Sequence, residues 1–557
     1  MLRLKLRRQH PGRVADLHRR AARWYERNGM LTDAVRHAAQ AGDWQLAAGM
    51  VIDELAVGEL IEPRDGQRLA EEFTSMLPGQ AWTQPAPLLV AAALALGAGH
   101  HESCAAALDA ADAALDHVRA ADDGPGRLAA AIIRLAASLG TGDLTAAASA
   151  ASRAELMLGK VPGGKLARHP DLRRRVLYGR GAVELWSGHL DEAARIFEAG
   201  LAEAGSGGEG EHADWAGYLA LTEAMRGRLG RAAELASQAA LAPAHQRPPG
   251  RNPNPAPMVA LARVHVQRNE LRETRNWIKQ ADAALGASPD KLIGTMAYLV
   301  AADGALAEGR APVAVQIITR ARSGWPVPAW LDRQLSLAES RACTAAGDIQ
   351  AAVKAAERAG GTSPEAVITL AHAWTAAGDA ERARRVLDPA LEAADQMPDR
   401  VRVQALLVDA RLGYSGDDGT RGRRSLAAAL QLAEQERLKL PFLAEQSWLG
   451  PVLNRDPELA GSYRRLFMPA PGREHRAPVK TPDKDPDKDP VLVVEPLTDR
   501  EREVLVHLSG LLSTAEVASE MYISVNTVKT HLRSIYRKLA ATHRNEAVRR
   551  ARQLRLI

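Results

Sequence analysis

A chain of 557 residues exceeds what a single hydrophobic core usually serves, so at least two domains are expected unless much of the chain is a repeat array. Aromatic residues make up only 4% against 46% hydrophobic residues overall, and alanine runs are frequent. That balance favours closely packed helices over sheets, which draw on aromatic and β-branched side chains, and predicts an all-α fold.

The formal net charge of +5 resides in the last sixty-one residues, where eleven Lys and Arg face six Asp and Glu. The rest of the chain is balanced, as suits a body that meets proteins or ligands and not a second nucleic-acid surface. Cys104 and Cys343 stand far apart without metal-ligand spacing, which points to reduced thiols in a cytoplasmic setting. The basic N-terminus, Met1 to Arg8, precedes no apolar segment, and the apolar stretch around Leu88 to Leu96 is too short for a bilayer. Neither export nor membrane insertion is expected.

Taken in order, the apolar spacing predicts helices over 14–25, 31–41 and 44–55, with breaks at Asn28-Gly29 and Gly42-Asp43. Residues 17–25, 34–38 and 41–44 resemble the join between the NTPase module and the superhelical sensor of large MalT-like LuxR regulators. The resemblance implies that Met1 lies just after the position where a nucleotide-binding module would end in such a protein.

From 88 to about 440 the chain repeats itself. A glycine or asparagine followed by a polar and often an aliphatic residue recurs at Gly99, Gly142, Gly188, Gly227, Asn269, Gly309, Gly347 and Gly378, each opening an alanine-rich segment. Spacings of 31 to 46 residues are those of a helical-hairpin array, with the small residue at the turn and alanines letting paired helices approach. The pattern resembles degenerate tetratricopeptide repeats, which stack into a superhelix with a concave surface. An irregular alanine-rich helical domain is the alternative. Residues 205–210 and 246–255 read as loops on this scaffold. Gln431 to Leu443 again resembles the end of the MalT-like sensor.

Several stretches imitate chemistry. Gly159-Lys160-Val161-Pro162-Gly163-Gly164-Lys165-Leu166 has the glycine and lysine spacing of a phosphate-binding loop. Leu166, however, replaces the Ser or Thr that would hold magnesium, no strand precedes it, and His169-Pro170 opposes a long following helix. It reads as an inter-repeat loop. His100, His101, Glu102 and Cys104 include metal-ligating types, but neighbours in sequence point to different sides of a helix, and no partner cluster is evident. Trp186, Trp277 and Trp374 lie near repeat turns and read as packing anchors, while Trp325 and Trp330, beside prolines, are candidates to line a ligand groove. No nucleophile, acid–base pair, metal set or cofactor site emerges, so the chain is not expected to be an enzyme.

Residues 469–496 are charged, proline-punctuated and lack core residues, which predicts an extended tether. Beyond it, Thr498 to Glu501 and Ser513 to Glu516 are capping boxes, each followed by an apolar helical face. In Ser524 to Leu539, Val525, Val528, Leu532, Ile535 and Leu539 form a buried stripe. Lys529, Arg533 and Arg537 recur every four residues on another face, uninterrupted by a carboxylate. Such a helix suits a DNA groove, where phosphates reward the charge and base edges the donors. A solvated basic surface helix is the alternative. A fourth helix is predicted from about 545 to 554.

Residues 497–505, 516–518, 525–531 and 544–548 resemble the LuxR-type helix-turn-helix domain from end to end, with Leu511 and Ala540 standing where glycine is common. The resemblance implies that Lys529, Thr530 and Arg533 face the major groove beside Asn526, and that Thr527, Arg537 and Lys538 touch phosphates. It further implies that Ala547, Val548 and Ala551 pair two copies on DNA and that RNA polymerase is a contact.

The resulting organisation is a helical lead-in over 1–87, a tetratricopeptide-like array over 88–468, a linker over 469–496 and the LuxR-type domain over 497–557. The expected role is DNA-binding transcription regulation, with a small molecule or protein acting on the array. Two alternatives are an interaction scaffold with a non-functional DNA-binding domain and a fragment of an ATP-dependent regulator.

Overall fold

The computed structural model describes residues 11–61, 68–73, 82–118, 124–166, 169–203, 209–240, 254–287, 290–360, 363–393, 397–416, 418–468, 499–509, 514–521, 524–538, 547 and 551. Among these residues every regular element is helical. The chain divides into two compact units, Met1–Pro469 and Ala470–Ile557.

The first unit is a succession of antiparallel helix pairs. Pro85–Gly97 packs on His101–Asp116, Gly124–Thr141 on Leu144–Leu158, Pro170–Ser187 on Leu190–Glu203, and the series continues to Asp399–Ser415 on Gly419–Glu436. At all eight predicted turn positions the backbone is left-handed, with φ from +57° at Asn269 to +90° at Gly188. The Gly347-Asp348 turn shows how two residues end one helix and start the next. Gly347 takes φ +82° without the Cβ clash another residue would meet, and its N–H donates to Thr344 O at 3.1 Å. The Asp348 N–H reaches back to Cys343 O at 2.9 Å, closing a Schellman motif. The Asp348 carboxylate then accepts from the Ala351 N–H at 3.0 Å and caps the next helix. Asp143 and Asp379 do the same for Ala146 and Arg382.

Small residues let the pairs approach, and a few large side chains fill what remains. Tyr178, Phe197, Trp215 and Tyr218 form an edge-to-face knot. Gly200 makes room for it, since a Cβ there would fall 2.1 Å from the Trp215 ring.

Hairpins distant in sequence also meet. The Trp325 ring lies against Gly142, and that of Trp330 against Gly188, where an added Cβ would sit 2.2 Å from it. Further on, the Lys439 N–H donates to Gln267 O at 2.9 Å and the Gly230 N–H to Glu436 Oε2 at 2.8 Å. The later helix pairs therefore fold back on the earlier ones, and residues from Ala182 to Leu466 share one hydrophobic cluster. Trp325 and Trp330, the candidate groove residues, thus pack between repeats. Trp186 is a buried anchor, Trp277 is half-buried at the core, and Trp374 stacks under the Arg382 guanidinium.

The second unit contains, among its described residues, the helices Asp499–Ser509, Thr514–Glu520 and Val525–Lys538. Val504, Leu505, Val517, Ala518, Val528, Ile535, Ala547 and Ala551 form its core. The linker 469–496, the caps Thr498 and Ser513, and Leu511, Ala540 and Val548 lie outside the described residues.

Candidate nucleic-acid interface

Val525–Lys538 starts at Ser524, whose hydroxyl accepts the Thr527 N–H at 3.1 Å and lies 2.8 Å from the Thr527 hydroxyl. This N-cap satisfies one of the first-turn N–H groups that would otherwise lack a partner. Along the helix, Val528 and Ile535 are fully buried, and Leu532 packs against the same cluster. Both shorter helices pack against this one. Their contact fixes which face is left outside, and Thr527, Lys529 and Thr530 are exposed on it. Asn526, Arg533 and Arg537 lie on the same helix, with their side chains outside the described set.

Three of the expected site residues have contacts within the domain itself. Lys538, expected at a phosphate, places its ammonium 2.8 Å from Glu501 Oε2, with both side chains nearly buried. It follows Ile535 by three residues, so its stem runs along the buried stripe and its charge meets the carboxylate of the first helix. Ala547 and Ala551, expected to pair two copies, are fully buried in the domain's own core. Their four-residue spacing points both methyl groups inward. Sequence reasoning missed the Glu501–Lys538 pair, since the helical step after Ile535 places the lysine beside the stripe without naming its partner.

In the first unit, Gly163–Leu166 forms one helical turn, and Lys165 Nζ donates to Asp53 O at 3.0 Å. The turn borders a groove of about 890 Å³ that His169, Arg173 and Leu177 help to line. His100 occupies the N-cap position of its helix, the His101 ring rests on Gly140, and Cys104 is buried. Among the described residues no group of three or more His, Cys, Asp or Glu could hold a metal ion, and no helix is long and apolar enough to cross a membrane.

Fold and site together define a helix-turn-helix protein carrying a helical-hairpin array. Residues 495–551 match the family of bacterial regulatory proteins of the luxR type, and residues 344–410 match the tetratricopeptide repeat. The C-terminal segment is thus a LuxR-family DNA-binding domain of the kind found in transcription regulators, and neither family found is an enzyme family.

The chain is 44% identical over 59 residues to the HTH-type transcriptional regulator MalT of Serratia proteamaculans (strain 568). That alignment spans 11% of this chain and 6% of the relative. Among solved structures, the chain is similar to the APC/C hetero-tetramer Cut9–Hcn1, with TM-score 0.44, 12% identity and coverage of 82% and 96% of the two chains. It is also similar to the human IFIT1 dimer with PPP-AAAA, with TM-score 0.38, 15% identity and coverage of 76% and 92%.

Proposed function

We propose that this protein regulates transcription by inserting Val525–Lys538 into the major groove, with the helical-repeat unit sensing an effector or partner. The carrying observation is the division of that helix, with Val528 and Ile535 buried while Lys529, Thr527 and Thr530 face outward. In this reading Lys529, Thr530 and Arg533, beside Asn526, read bases, while Thr527 and Arg537 touch phosphates. Lys538 stays with the phosphate contacts in this reading, its ammonium also paired with Glu501.

The domain limits fit this division of labour. The same proposal assigns sensing to the unit that runs to about 468 and binding to the module over 497–557, with 469–496 linking them in sequence. Two copies on half-sites about 34 Å apart would follow the usual geometry of such modules. In this reading the two copies pair through the last segment of the domain, around Val548.

The test is a gel-shift series with DNA selected from a random pool, using full-length protein at several salt concentrations. Lys529→Ala and Arg533→Ala should each weaken binding to the selected DNA and relax its sequence preference, whereas Arg537→Ala, losing a phosphate contact, should lower the salt slope by about 1. Unchanged affinity and sequence preference in Lys529→Ala and Arg533→Ala would falsify the assignment of the recognition helix.

A further inference from the structure

Five consecutive helix pairs each contribute one charged residue to a cluster inside the repeat unit. Arg263 lies on Ala256–Gln267, Asp303 on Lys291–Ala307, Arg341 on Ala329–Ala346, Glu365 on Pro364–Ala376 and Arg400 on Asp399–Ser415. Asp303 sits between two cations, 3.3 Å from Arg263 Nη1 and 3.0 Å from Arg341 Nη2. Glu365 lies 3.5 Å from Arg400 Nη2. Three guanidiniums therefore share two carboxylates, and two of the three contacts are long for charge-assisted hydrogen bonds.

The floor of the cluster is buried and the rim is partly exposed. Arg263 and Asp303 are 3% and 4% exposed, whereas the side chains of Arg341 and Glu365 are each 27% exposed. Arg263 Nε is buried without a hydrogen-bond partner. Burial, with Arg400 and Arg341 nearby, pushes the Arg263 guanidinium down to about 10, so it still carries its charge at neutral pH. Proteins ordinarily match buried charges one for one, because an unmatched buried ion carries a large desolvation penalty. Here one positive charge is in excess, with a donor left over.

We propose that this cluster binds a small oxyanion, the phosphate or carboxylate group of an effector, which passes Arg341 and Glu365 and is held by Arg263, Arg341 and Arg400. Guanidiniums suit that chemistry because their planar N–H pairs match two oxygens of a phosphate or carboxylate. The inference deepens the sensing role proposed above. An anion bridging Arg263, Arg341 and Arg400 would tie together helix pairs from the middle and the end of the array.

The experiment is thermal melting and calorimetric titration of the full-length protein with inorganic phosphate, with citrate, and with chloride at matched ionic strength. Phosphate or citrate should raise Tm by about 2 °C or more over chloride at saturation. Whichever of the two acts identifies the group. Arg341→Gln should abolish the rise, and Glu365→Gln, which removes a competing carboxylate from the rim, should tighten anion binding several-fold. No rise with either anion, an equal rise in Arg341→Gln, or unchanged binding in Glu365→Gln overturns the site. DNA binding measured with and without the anion separates the two ideas: a bound anion that leaves DNA affinity unchanged keeps the site and removes the sensing role.

Discussion

Lys538 Nζ and Glu501 Oε2 stand 2.8 Å apart with side chains 12% and 5% exposed, which ties the last turn of Val525–Lys538 to Asp499–Ser509. Breaking a pair this buried removes a charge-assisted contact where water cannot replace it, a loss of about 3 kcal/mol. Lys538→Ala should therefore loosen the domain, whereas Lys529→Ala, at an exposed position, should change stability by less than about 0.5 kcal/mol and act on DNA affinity alone. Amide exchange over Asp499–Ser509 in the full chain tells them apart. Unaltered exchange in Lys538→Ala would mean that the pair contributes nothing to the fold.

Gly188 combines φ +90° with the Trp330 ring 2.2 Å from where a Cβ would stand. Gly347 has a similar φ of +82° and nothing within 4 Å. Alanine at 347 meets only the backbone penalty, about 1 kcal/mol, while alanine at 188 adds overpacking for a total of about 3 kcal/mol. Urea midpoints of the two variants should differ accordingly. Adding Trp330→Ala to Gly188→Ala should recover part of the loss, the coupling expected of residues in contact. Equal midpoints for the two glycine variants would argue against close contact between these distant repeats.

These two sites mark what was legible in the sequence and what was not. The turn glycines were readable because a left-handed φ is a local demand that few residues other than glycine meet, and Asn269 was readable for the same reason. The stripe Val528, Leu532 and Ile535 was readable because helical period alone puts it on one face. Trp330 against Gly188, and Arg263 among Arg341 and Arg400, were not. Such meetings depend on the twist accumulated over several repeats, which no short pattern encodes. Lys538 shows the same limit at short range: a lysine beside an apolar stripe has one spelling whether it meets a phosphate or Glu501.

The Gly-Asp spelling of the turns carries its own prediction. Asp348 and Asp379 each accept an N–H three residues on, so Asp348→Ala or Asp379→Ala should cost about 1 kcal/mol apiece, with Asn largely restoring the cap. Thermal melts of the alanine and asparagine variants check this. Asparagine no better than alanine would mean that the side-chain cap is not what these positions supply.

Acid should open the unit at Glu445. This carboxylate is 3% exposed; it accepts from His372 Nε2 at 2.8 Å and from Trp448 Nε1, and lies 3.4 Å from Arg411 Nη1. Burial alone would raise its pKa, but the His372 hydrogen bond and charge, with Trp448 and Arg411, outweigh it and hold the group below the ordinary carboxylate range. A carboxyl depressed in the folded state binds its proton more readily once unfolded. Its contribution is therefore fully present above the unfolded value of about 4.3 and fades as pH falls through the lower, folded value. His372 sits on Pro364–Ala376, Arg411 on Asp399–Ser415 and Trp448 on Gln446–Arg455, so protonation releases three helices at once. Glu445→Gln should lower stability by about 3 kcal/mol at pH 7. It should also flatten the fall in Tm below about pH 4.3 relative to the unmodified chain. Glu270 and Asp456, also held low by their partners, titrate in both proteins, so the difference between the two curves isolates Glu445. Parallel curves would show that the His372–Glu445 tie has no part in acid stability.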